Sequence, residues 1–109
     1  MSNIVISPAG LQLLADALAL TLREQIEAGI DSTGAPFPPG VDLVRTGALL
    51  SSIRGVVLDG NPSIEIGVPY APYVLARYNA TELAPQFLTL LEQHWAPIFA
   101  AHATYTEAS

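Results

Sequence analysis

Gly55-Val56-Val57-Leu58-Asp59, Gly60-Asn61-Pro62 and Ser63-Ile64-Glu65-Ile66-Gly67-Val68 read in turn as strand, turn and strand. The second run alternates and sets Ile64, Ile66 and Val68 on one face, as a half-buried strand requires. The Gly-Asn-Pro break between the runs makes the pair an antiparallel hairpin, and Pro69 ends the second strand. With helical patterns on both sides of it, this hairpin sets the expected fold class. That class is α+β, with N-terminal and C-terminal helices packed with a short helix against a small antiparallel β-hairpin sheet.

Upstream, Ser7-Pro8 reads as an N-cap followed by Pro at the first helical position. A helix is expected from about Pro8 to Ala28, stopping at Gly29. Leu11, Leu14, Leu18, Leu22 and Ile26 form its inward stripe at 100° per residue. Its other face carries Asp16, Glu24 and Glu27, and also Leu13 and Leu20 at i, i+7. Two leucines among acids on an outer face are what a subunit contact would leave, so both are candidate interface residues. Residues 1–7 read as an N-terminal arm or short strand carrying Ile4-Val5-Ile6.

Residues 30–45 are expected to be a Pro/Gly loop, since Gly34, Pro36, Pro38, Pro39 and Gly40 break regular structure. Phe37 stands among three prolines, which lowers the entropy lost on docking, so Phe37, Pro38 and Pro39 are interface candidates. Thr46 is expected to cap a short helix through Ile53, and Arg45 beside it is a subunit-interface candidate for a fixed carboxylate contact, within the subunit or across to a neighbour. Downstream, Ala71 to Tyr78 reads as a short helical turn. Thr81 is the expected N-cap of a last helix, Glu82 to His102, with the stripe Leu83, Phe87, Leu90, Leu91, Trp95, Ile98, Phe99. Pro97 inside it is expected to kink or split it. Residues 103–109 read as a frayed tail, and the whole of 1–109 as a single domain.

Composition narrows the function. Half of the 109 residues are hydrophobic, 13% are charged, and there is no cysteine. No disulfide framework or thiolate zinc site is therefore possible. The longest apolar runs fall short of a membrane span, and no signal peptide is expected at the N-terminus. The simplest compartment is the cytosol or a particle assembled there. Ten acids face four arginines with no lysine, for a net charge of −6. Nucleic-acid binders lean on many basic contacts, and that footprint is missing. A chain this apolar with so few charges is better explained by burial against other protein chains.

Catalytic chemistry is sparse. Phosphate-binding glycine loops, zinc-protease helices and nucleophile elbows are all missing from the sequence. His94 and His102 are eight residues apart on one helix and would not meet on one metal. Glu24, Glu27 and Asp31 read as a solvated acidic face rather than a cation site. Tyr70, Tyr73 and Tyr78 read as packing or interface residues. No enzyme activity, cofactor or metal is expected.

The order of four segments carries a resemblance. Gly34-Ala35-Pro36-Phe37-Pro38-Pro39 is followed by Arg45-Thr46-Gly47-Ala48-Leu49-Leu50-Ser51-Ser52-Ile53. Ile64-Glu65-Ile66-Gly67-Val68-Pro69-Tyr70-Ala71 comes next, and Ala84-Pro85-Gln86-Phe87-Leu88 opens the last helix. This series, over about residues 10–100, resembles the neck, or tail-completion, family of tailed bacteriophages. Val74-Leu75-Ala76-Arg77-Tyr78 departs from the Glu and Gly that family members often carry there. The resemblance implies a structural virion protein, without enzymatic activity, that forms a six- or twelve-fold ring at the head–tail junction. Its partners would be adjacent head-closure or portal-adaptor and tail proteins. The ring would join head to tail and line or seal a channel that DNA crosses passively, with no membrane partner. Asp16, Glu24, Glu27 and Asp31 are the candidates for an acidic rim or lumen, where like charge keeps DNA from sticking. The competing expectation is a small cytosolic homo-oligomeric α+β module with a regulatory or ligand-binding role.

Overall fold

A computed structural model describes residues 2–40 and 47–107, with the backbone alone at 2–4 and 105–107. The elements in chain order are β1 (Ser2–Ile6), α1 (Pro8–Glu27), α2 (Ala48–Ser51), β2 (Ile53–Leu58), β3 (Asn61–Ile66), α3 (Ala71–Arg77), α4 (Pro85–His102) and β4 (Ala103–Glu107). The α+β expectation holds, with one difference in arrangement: of the two long helices only α1 packs against the hairpin β2–β3, and α4 packs on α1.

Helix α1 is the organising element, and both the hairpin and α4 pack along it. Ser7 caps its start, its Oγ accepting from the Gly10 N–H at 3.1 Å, with Pro8 following. At its end Gly29 N donates to Ile26 O and Ile30 N to Gln25 O, the paired bonds of a Schellman closure. At 100° per residue its buried positions fall into two stripes. One is Gly10, Leu14, Thr21 and Gln25; the other is Ala15, Ala19, Leu22 and Ile26. The first meets α4: the Trp95 indole N–H donates to Leu14 O at 3.0 Å. Ala19, Leu22 and Ile26 of the second join Leu49, Ile53, Ala71, Leu75 and Ala80 in the core. Leu11 and Leu18 lie between the stripes and are only half-buried, because that arc faces the seam between two packed elements.

The hairpin turns one residue earlier than the sequence suggests. Leu58 pairs with Asn61, so the loop is Asp59-Gly60, both at positive φ (51° and 77°). Asp-Gly satisfies the two left-handed positions of a type I′ turn better than Gly60-Asn61-Pro62 could. Two strand carbonyls of β2 that point away from β3 accept from α1. Gln12 Nε2 donates to Gly55 O at 2.9 Å, and Arg23 Nε and Nη2 donate to Ile53 O at 3.1 and 2.5 Å.

Three boundaries differ from expectation, each for a tertiary reason. Helix α4 starts at Pro85 with Ala84 as its cap residue, not at Thr81. The backbone before it is already engaged: Glu82 O accepts from Gln25 Nε2 and Ser32 Oγ, and Ala84 N donates to Gln25 Oε1. Proline at 85 also holds Ala84 extended. Helix α4 then continues through Pro97 to His102 without splitting. Helix α2 is one turn, and Ile53, expected within it, opens β2 instead; the expected Thr46 cap lies outside the described residues. Finally, the expected arm (1–7) and frayed tail (103–109) pair with each other. Ser2–Ile6 and Ala103–Glu107 form an antiparallel ribbon in the register Ser2↔Glu107 to Ile6↔Ala103. Each supplies the backbone partner that the other lacks.

Candidate assembly surfaces

Within the described part of the Pro/Gly loop, residues 30–37 are more ordered than their composition implies. Ile30 and Pro36 form an isolated bridge, Asp31 N donates to Ala35 O at 2.8 Å, and Phe37 N donates to Gly29 O at 2.8 Å. Asp31 closes the turn between them. Its Oδ1 accepts from Thr33 Oγ1 at 2.6 Å, Thr33 N at 2.9 Å and Ala35 N at 3.2 Å. The Thr33 hydroxyl above all, helped by these amides, holds the Asp31 carboxyl below its ordinary value. Asp31 is therefore occupied within its own turn rather than presented as part of an acidic rim.

Phe37 packs against the core of its own chain. The ring that the sequence offered as a docking residue is thus anchored inward, and Pro38 and Pro39 beside it are exposed. Arg45 lies outside the described residues.

Leu13 and Leu20 are exposed, at 42% and 44%. They stand two turns apart on the outer face of α1, about 10 Å along the axis. Asp16 and Glu27 are exposed beside them and Glu24 is half-exposed. The structure thus brings together the leucine pair and three of the four acids named from sequence. Tyr73 is exposed at 79%, and Tyr70 is also exposed. Tyr78 is half-buried with the Arg77 guanidinium 5.6 Å above its ring.

A second apolar stripe was missed. Leu91 is the one residue of α4 that is fully buried among the described side chains, while Leu88 and Phe99 are exposed. Leu88, Trp95 and Phe99 fall close together at 100° per residue, and the Trp95 and Phe99 rings meet edge to face at 6.1 Å. The sequence pattern marks a broad apolar arc but not how much of it α1 covers, so Phe99 read as core. Among the described residues no group of three or more His, Asp or Glu is placed to hold a metal. His102 Nδ1 is 3.1 Å from Ser7 Oγ, and no helix is long and apolar enough to cross a membrane.

Compared with known proteins, the chain matches no family model, no curated protein and no solved structure.

Proposed function

We propose that this chain is the subunit of an oligomeric ring at the head–tail junction of a tailed bacteriophage, a structural protein without catalytic chemistry. The observation that carries the reading is the ordered set of four sequence segments. The described parts of these segments lie in the Pro/Gly loop after α1, in α2, at the exit from β3 into α3, and in the opening turn of α4. The uncovered apolar residues support it as well. Leu13 and Leu20 on α1, and Leu88 and Phe99 on α4, give one subunit two different apolar surfaces. Closed rings need two such unlike patches, because their contacts are head-to-tail. The neighbours above and below would be head-closure or portal-adaptor and tail proteins, with DNA passing through the ring without being bound.

The test is native mass spectrometry with electron microscopy of the purified protein. Six- or twelve-fold annular particles support the reading. A strictly monomeric protein at every attainable concentration overturns it, and a stable two-fold species favours a small regulatory or ligand-binding module.

A further inference from the structure

The two sheets of this molecule treat their edges differently. In the hairpin, Gly67 N donates to Ser52 O. Antiparallel pairing alternates, so Ile53, Gly55 and Val57 of β2 point their backbone groups away from β3. Two of those carbonyls are taken by Arg23 and Gln12 from α1. On β3 the outward positions are Pro62, Ile64 and Ile66, and Pro62 has no N–H to offer. These are the usual ways of blunting a sheet edge.

The terminal ribbon has none of them. Ser7 N donates to His102 O at 3.1 Å. The alternation therefore turns the backbone groups of Val5 and Thr104 inward, and those of Ile4, Ile6 and Tyr105 outward. Among the described residues the sheet holds only β1 and β4, and no further strand pairs with either outer edge. Neither strand contains proline or lysine, and no element besides the end of α4 packs on them extensively. The molecule is elongated, 58 Å along its longest axis against ~30 Å for α1. An isolated two-stranded ribbon is marginal in water.

We infer that the ribbon is an assembly strand pair, and that its occupant is a second copy of this chain, with the β1 edge of one copy pairing antiparallel to the β4 edge of the next. Three features single out a second copy. First, β1 and β4 are antiparallel within a chain, so pairing β4 with a neighbour's β1 leaves every copy in the same orientation, as a head-to-tail ring requires. Second, each copy then uses both of its edges, whereas an unrelated strand would fill one edge and leave the other bare. Third, among ten acids only Glu107 falls in the ribbon. Copies of a −6 chain therefore meet where their like charge is lowest. The edge pairing is read from the ribbon itself; its closure into a ring rests on the function proposed above.

The experiment is residue-resolved amide hydrogen exchange on the full chain, assembled and dilute, alongside native mass spectrometry. In the assembled state the Ile4 and Tyr105 amides should slow on the order of 100-fold relative to the dilute protein. The inward Val5 and Thr104 amides should be protected in both. Ile4→Pro removes one outward donor and leaves the inward bonds in place. It should weaken assembly while Val5 and Thr104 stay protected. Rings whose Ile4 and Tyr105 amides exchange freely would overturn the strand contact and leave the ring reading standing. A protein that never assembles would overturn both. A two-fold species with Ile4 protected and Tyr105 open would overturn the head-to-tail order.

Discussion

Gly55 of β2 rests directly on the Ala15 carbonyl of α1, with no room for a β-carbon between strand and helix. The contact lets Gln12 reach Gly55 O and brings Ile53 into the core at 0% exposure. Gly55→Ala should therefore push the hairpin off α1, at a cost of about 2–3 kcal/mol. A denaturant midpoint equal to that of the parent would contradict this packing.

Gln25 is fully buried, and its amide clamps two backbone groups, Glu82 O at 3.0 Å and Ala84 N at 2.7 Å. Gln25→Leu keeps the apolar bulk and orphans the buried Ala84 N–H, while Glu82 O keeps the Ser32 hydroxyl. The expected loss is about 3 kcal/mol, with faster exchange of the Ala84 amide as the local signature.

Replacing Leu13 and Leu20 together by Glu should leave the melting temperature of the subunit nearly unchanged, since both are exposed. If this face is a subunit contact, the same variant should lose its higher-mass species in native mass spectrometry. Retention of those species would remove α1 from the interface.

Asp31 gives a pH dependence with a defined sign. Its folded-state pKa is lowered, chiefly by the Thr33 hydroxyl. Its stabilising contribution is therefore present above the ordinary aspartate value of 3.8 and is lost as pH falls through the lower folded value. Asp31→Asn should flatten the acid limb of the stability profile. An acid limb identical to the parent's would show that the turn does not depend on the carboxylate.

Duplex DNA should not bind this protein even at about 50 mM salt, where cationic contacts act most strongly. Fluorescence anisotropy with a labelled duplex checks this. Tight binding at that salt would contradict a passive channel wall built from a −6 chain with four arginines.

Local chemistry made part of this fold legible. The Ser7-Pro8 start, the Gly29 stop and the alternation of Ile64 and Ile66 are signals carried by neighbouring residues, and each element forms close to where they place it. What stayed hidden depends on partners far along the chain. Thr104-Tyr105-Thr106 has the β-branched and aromatic character of a strand, yet its partner Asn3-Ile4-Val5 lies about a hundred residues earlier. The start of α4 was likewise set by Gln25, 59 residues before Ala84. For the assembly surfaces, the i, i+7 spacing exposed Leu13 and Leu20. The inward turn of Phe37 and the uncovered side of α4 depend on how closely elements pack, which periodicity does not encode.

The bond from the Trp95 indole to Leu14 O gives the molecule an intrinsic optical probe. Trp95 is the single tryptophan of the chain, and it joins two helices through a residue 81 positions away in sequence. Its emission therefore reports the docking of α4 on α1. Compared with backbone circular dichroism, it follows loss of the helix pair at one site, without a label.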